Sequence, residues 1–201
     1  MSELSLETEV KFRVPDLAEL RDRLVALGAI PAQPRHLERN VLFDDSGMSL
    51  SARGMLLRLR DALGAHITLK APAPPERQSS QHKARVEHEI SVDSYDAAFA
   101  ILAALGYAPW WRYEKYRESF RLGDPAGRGA SSATIALDHT PIGDFVEIEA
   151  PPESIRLVSA QLGFVWSTRS LQTYRELFDA AGHAAGADMT FDAVQAGAET
   201  R

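Results

Sequence analysis

No cysteine occurs in the 201 residues. Disulfides, thiolate zinc sites, iron–sulfur clusters and cysteine nucleophiles are thereby excluded. Positive charge is also scarce: 22 Lys and Arg stand against 28 Asp and Glu, for a formal net charge of −6. Phosphate-driven binding of nucleic acid needs a basic surface, so no nucleic-acid partner is expected. Long apolar runs are missing. The longest nearly uncharged one, Ala97 to Trp111, is too short for a bilayer and contains Gly106 and Pro109, so no membrane partner is expected. Met1-Ser2-Glu3-Leu4-Ser5 has neither the basic nor the apolar region of a signal peptide, and a cytoplasmic location is expected. The six histidines (36, 66, 82, 88, 139, 183) show no metal-ligand spacing, and Gly127-Arg128-Gly129 lacks the Gly-Lys-Ser/Thr of a phosphate loop.

What remains is an ordinary globular composition, 45% hydrophobic and 25% charged. The length predicts one domain over residues 1–180. Residues 181–201 are Ala/Gly-rich and weakly patterned, and read as a loosely ordered tail. One unit recurs three times: Glu-x-Glu on a strand, a break, then an amphipathic helix ending in Leu-Gly. The copies start at Glu7, Glu87 and Glu147 and end at Gly28, Gly106 and Gly163. Asp16 is placed to cap the first helix, and Leu17, Leu20, Leu24 and Leu27 share one face of it. A fourth helix is predicted near Ser170 to Ala180. Eight strands are predicted: Leu4–Val14, Arg35–Asp44, Met55–Asp61, His66–Ala71, Lys83–Ser91, Trp110–Leu122, Ala133–His139 and Ile142–Ala150. The loop at residues 71–81 is Pro/Ser-rich and reads as mobile, with Arg77, His82 and Lys83 flanking it. Trp110-Trp111 reads as packing rather than as a base-stacking platform.

Side chains two apart on a strand share a face. Glu7, Glu9, Lys11 and Arg13 therefore lie together, with Thr8, Val10 and Phe12 opposite. Arg58 and Arg60 oppose Leu57 and Leu59, and Lys70 lies with Thr68 and His66. Arg85, Glu87 and Glu89 align, as do Lys115 and Arg117, and Glu147 and Glu149. One such strand fits an antiparallel sheet with its charged side in water. Repetition on nearly every strand favours a closed sheet turned inside out, with its apolar face under the helices and a lumen of both charge signs. Buried charge at that density makes sense when paired, hydrated or ligand-bound. A polyanion bridged to divalent cations suits it: Arg and Lys neutralise phosphate oxygens, and carboxylates hold Mg²⁺ or Mn²⁺.

These residues resemble the CYTH family of triphosphate tunnel metalloenzymes. Glu7-Thr8-Glu9-Val10-Lys11 matches its Glu-x-Glu-x-Lys signature. Phe43-Asp44, Leu57-Arg58-Leu59-Arg60, Thr68-Leu69-Lys70, Arg85-x-Glu87-x-Glu89, Glu114-Lys115-Tyr116-Arg117, Leu137-Asp138, Gly143 through Glu149 and Tyr174-x-Glu176-Leu177 follow in order. The resemblance implies an eight-stranded antiparallel barrel, of the α+β class, with helices packed outside and a triphosphate in the lumen. It implies that Glu7, Glu9, Asp138, Glu147 and Glu149 bind metal, Mg²⁺ or Mn²⁺. Lys11, Arg58, Arg60, Lys70, Arg85, Lys115 and Arg117 would bind the triphosphate. Glu87 and Glu89 would orient the basic groups from behind. Lys11 or Lys70 is a candidate for proton transfer, provided its pKa is lowered. The partner implied is a small-molecule triphosphate, and the chain is expected to be a monomer or homodimer. Three activities stay open. The first is a triphosphatase acting on inorganic triphosphate or an organic one such as thiamine triphosphate. The second is a class IV adenylyl cyclase making cyclic AMP and pyrophosphate. The third is a non-catalytic polyphosphate- or nucleotide-binding module.

Overall fold

The computed structural model of the chain describes residues 6–123 and 133–199. Leu4 and Ser5, the Gly127-Arg128-Gly129 hairpin tip and nearly all of the expected connection around it lie outside the described residues. Eight strands form one closed antiparallel barrel. They are β1 (Leu6–Val14), β2 (Ile30–Asp44), β3 (Leu56–Asp61), β4 (Ala65–Pro72), β5 (Lys83–Val92), β6 (Ala108–Leu122), β7 (Ala133–Thr140) and β8 (Gly143–Glu149). The order around the barrel is β1-β5-β4-β3-β2-β6-β7-β8, and β8 closes the ring on β1. Strand β2 begins five residues before the expected Arg35. Pro31 and Pro34 lack an N–H, and register shifts beside them accommodate that loss in the pairing with β6.

The outer faces are apolar and carry the helices. Val10, Phe12 and Val14 of β1, Ile135 and Leu137 of β7 and Val146 and Ile148 of β8 pack with Leu20 and Leu24 of α1 (Leu17–Ala26). Ile155 and Val158 of α4 (Pro152–Gln161) belong to the same cluster. On the other side, Val41, Phe43, Leu57 and Leu59 pack with Leu50 of α2 (Ser49–Ala52). Ala98 and Leu102 of α3 (Tyr95–Ala104) complete that cluster. Asp16 caps α1 as expected, accepting from the Ala18 N–H at 2.7 Å. Gly163 stops α4 at φ +80, and a Cβ there would collide with the Arg23 guanidinium, which donates to the Leu162 carbonyl.

Helix α5 (Tyr174–Ala180) lies across one end of the barrel. It starts later than Ser170 because Thr173 and Glu176 form a reciprocal cap. Tyr174 and Phe178 pack with Leu42, Trp111, Tyr113 and Phe145, the lumen-facing apolar residues at that end. Trp111 is 1% exposed and donates to the Ala187 carbonyl at 3.1 Å, which fits the packing role. The loop at 71–81 is tied down, since Arg169 donates to the Ser80 and Gln81 carbonyls.

Part of the C-terminal segment packs against the barrel. Met189 is fully buried and pairs in parallel with Tyr113, its N–H bonding to the Arg112 carbonyl at 2.9 Å. A further helix, α6, runs over Phe191–Glu199. Ala187 and Val194 pack on the same cluster and the Phe191 ring lies against Tyr116 and His139, contacts whose irregular spacing leaves no periodic signal in sequence. Met189→Ala is expected to destabilise the chain by about 2–5 kcal/mol. Urea unfolding checks this, and an unchanged midpoint would show the segment to be a passive appendage.

Candidate active site

The inward faces of the strands enclose a cavity of about 520 Å³, a size that takes a small ligand. Its walls hold Glu7, Glu9 and Lys11 of β1, Arg58 and Arg60 of β3 and Lys70 of β4. Lys83, Arg85, Glu87 and Glu89 of β5, Lys115 and Arg117 of β6 and Glu147 and Glu149 of β8 complete the charged lining. Every residue that the sequence offered for the site lines this cavity except Asp138. A smaller cavity toward the other mouth shares Glu7, Glu9, Arg117, Glu147 and Glu149 with it. These five therefore stand at the waist of a tunnel.

Strand register makes the charge pattern. Lys11 lies opposite Glu147 and Lys70 opposite Glu87. Lys11 donates to Glu147 Oε1 at 2.6 Å, and Lys83 pairs with Glu9 at 3.3 Å. Lys70 contacts Glu7 and lies 3.2 Å from Glu87. Arg58 and Arg60 reach Glu89 at 3.4 and 3.1 Å, and Thr68 donates to it at 2.7 Å. Glu87 and Glu89 thus pair with the arginines and Lys70 within the cavity lining. Arg85 donates to the Gly54 carbonyl at the mouth.

Burial and neighbours set the protonation states. Burial pushes the Glu7 carboxyl up to about 7, with Glu9 and Glu87 adding repulsion that Lys70 only partly offsets. Burial also raises Glu149, beside Glu87, Glu9 and Glu147. Glu147 goes the other way: Lys11, Lys115 and Arg117 outweigh its burial and hold it well below the carboxylate range. Burial would lower Lys11 and Lys70, yet Glu147 and Glu9 raise the first and Glu7 raises the second. In the free lumen these carboxylates favour the ammonium form of both lysines. That form suits phosphate binding.

Four groups were not read from sequence. Lys83 flanks the 71–81 loop in sequence, yet its spacing from Arg85 places it on the inward face of β5. Glu38 is 2% exposed and lies 3.7 Å from both Lys115 and Arg60. Asn40, 1% exposed, leaves both amide atoms without a hydrogen-bond partner. Alternation along β2 could have found both. Tyr174 puts its ring under two ammonium groups, Lys11 Nζ at 4.5 Å and Lys115 Nζ at 4.9 Å from the centroid.

Among the described residues, no group of three or more carboxylates and histidines converges as a ready metal site. The glutamates are spread over ion pairs instead. Their chemistry nevertheless fits a hard divalent cation: Glu7, Glu9, Glu147 and Glu149 offer oxygen donors. Such a cation would offset the burial, and with it the carboxylate repulsion, that raise Glu7 and Glu149.

A family model described as the CYTH domain matches residues 5–162. Among the curated proteins nothing matches. Solved structures share the fold. A Vibrio parahaemolyticus protein with a provisional adenylate cyclase assignment superposes with a TM-score of 0.74 at 18% identity, covering 88% of this chain and 99% of that one. A Pyrococcus horikoshii protein gives 0.67 at 25% identity, covering 85% and 98%. A Hippeastrum adenylyl cyclase candidate, described as having a dominant triphosphatase activity, gives 0.61 at 17% identity, covering 90% and 98%.

Glu38 makes the charge network testable. Burial would raise its pKa, but Lys115, Arg117, Arg60 and Arg58 pull it down to about 2 from 4.5. A depressed carboxyl gives stability that is present above pH 4.5 and lost as pH falls toward 2, on the order of 3 kcal/mol. Urea unfolding between pH 7 and pH 3 should show a shallower loss in Glu38→Gln, which starts less stable at pH 7. Parallel profiles would contradict the assignment.

Proposed function

The chain belongs to the CYTH domain family, and we propose on that premise that it hydrolyses a triphosphate inside the barrel with the help of a divalent cation. The observation that carries this reading is the cavity of paired, buried charges, both signs interleaved along its walls. A bound triphosphate would take over the cationic partners, and a cation the anionic ones. The net cost of buried charge would fall on both sides.

In this reading Arg58, Arg60, Lys70, Lys115 and Arg117 hold the phosphate oxygens, with Lys11, Lys83 and Arg85 nearby. Guanidinium groups give paired donors with fixed geometry, and they stabilise the charge that spreads over the transferred phosphoryl group. Glu7, Glu9, Glu147 and Glu149 would hold Mg²⁺ or Mn²⁺. Such an ion, when bound, neutralises phosphate charge and lowers the pKa of water. Water forms the new P–O bond at the terminal phosphorus and the phosphoanhydride P–O bond breaks. Orthophosphate and the diphosphate remainder leave. A cyclase would need a ribose hydroxyl held against the α-phosphorus, and no residue of the cavity is assigned to a ribose. The substrate partner is thus a small triphosphate, in a cytoplasmic protein acting as monomer or homodimer.

The test is incubation with inorganic triphosphate, thiamine triphosphate or ATP, each with Mg²⁺ and with Mn²⁺, scoring orthophosphate, pyrophosphate and cyclic AMP. Orthophosphate release that is lost in Glu7→Gln/Glu9→Gln is expected. Arg117→Ala should lower kcat/KM about 10²–10³-fold, the cost of removing a preorganised charge donor. Cyclic AMP with matching pyrophosphate would replace the hydrolase with a cyclase. Binding without turnover would leave a binding module.

A further inference from the structure

Asp138 is fully buried and does not line the cavity. Four donors converge on its carboxylate. Arg117 Nε reaches Oδ1 at 2.7 Å, and Arg117 Nη2, Lys115 Nζ and the Tyr174 hydroxyl reach Oδ2 at 2.6, 3.0 and 2.5 Å. Oδ2 takes three of these donors and Oδ1 one, so the buried carboxylate is committed to protein donors and presents no face to the cavity. The strands fix this arrangement. Asp138 sits directly across the β6–β7 ladder from Arg117, and Lys115 is two residues back on the same face.

The Tyr174 bond comes from elsewhere. It begins on α5, the helix across the end of the barrel, and it ends on the carboxylate that holds Lys115 and Arg117. The same ring lies against Lys11 and Lys115. One side chain of the closing helix therefore touches, directly or through Asp138, three of the cations that face the cavity.

We propose that Asp138 is a positioning residue rather than a metal ligand, and that the Tyr174 hydroxyl couples the closing helix through it to the phosphate-binding placement of Lys115 and Arg117. The Arg117 side chain has a second tie, to Glu147. With both bonds in place, its guanidinium is held between the buried carboxylate and the tunnel waist. Without the Tyr174 hydroxyl, Asp138 Oδ2 loses one of its three donors, and Lys115 is free to lean toward Glu38, 3.7 Å away. The inference rests on triphosphate being the ligand of the lumen.

The experiment measures binding, so it does not depend on turnover. Calorimetry with inorganic triphosphate in metal-free, chelator-treated buffer gives the triphosphate affinity, and electron paramagnetic resonance of Mn²⁺ alone gives the metal affinity. Tyr174→Phe keeps the ring, its packing and its cation contacts, and removes only the hydroxyl. It should weaken triphosphate about tenfold, the size of one lost hydrogen bond to a charged group, and leave Mn²⁺ affinity unchanged. Asp138→Asn should likewise spare Mn²⁺ binding. Phe178→Leu loosens the same helix without touching Asp138. It should lower the melting temperature while triphosphate affinity holds, which separates positioning from general destabilisation. Unchanged triphosphate affinity in Tyr174→Phe overturns the inference, as does loss of Mn²⁺ binding in Asp138→Asn. Where Asp138→Asn does not fold, Tyr174→Phe alone decides. A wild-type chain that binds no triphosphate overturns the functional reading and this inference with it.

Discussion

Charge buried in a closed barrel has to be neutralised where it stands, and this constraint shapes the molecule. Exposed pairs such as Arg23–Glu19 on α1, with side chains 41% and 69% exposed, contribute a few tenths of a kcal/mol at most. Inside, removing one partner of a buried pair costs about 3–5 kcal/mol, because the other charge is left stranded. The lumen groups are accordingly matched across strands: Lys11 with Glu147, Lys70 with Glu7 and Glu87, Lys83 with Glu9, and Arg117 with Asp138 and Glu147. The antiparallel register makes these matches possible. The outer apolar face, covered by α1, α3 and α4, gives the hydrophobic stabilisation that a polar interior cannot.

The pairing is incomplete in an informative way. Glu7 and Glu149 remain pushed up by burial and by other carboxylates, while Glu38 and Glu147 are held low by cations. Negative charge is in excess where β1 meets β8 and β5, and positive charge collects on β3 and β6. Asn40 and the Nε atoms of Arg58 and Arg60 on the β2–β3 wall lack hydrogen-bond partners, and Asn40 is directly across the ladder from Arg60. Such a division suits a ligand that is itself divided, a polyanion with a cation at one side.

Much of this was legible in the sequence because strand periodicity is two. Once Glu7-x-Glu9-x-Lys11 and Arg58-x-Arg60 were placed on strands, their shared inward face followed, and so did the covering of Val10, Phe12 and Val14 by helices. The helix stops at Leu27-Gly28 and Leu162-Gly163 followed from the local demands of a left-handed residue. Facts that depend on three dimensions were harder to read. Glu38 and Asn40 share a face with no strong motif around them. The third donor on Asp138 Oδ2 is Tyr174, 36 residues away on a helix, and no spacing rule brings a helix across the end of a barrel. Met189 is buried in a stretch without periodic pattern.

The most direct measurement is anomalous diffraction at the manganese edge, from crystals grown with Mn²⁺ and a non-hydrolysable triphosphate. The account predicts a manganese peak inside the barrel among Glu7, Glu9, Glu147 and Glu149, with the triphosphate lying against Arg58, Lys115 and Arg117. A triphosphate bound outside the barrel, or a lumen that keeps its ion pairs with both ligands present, would contradict it.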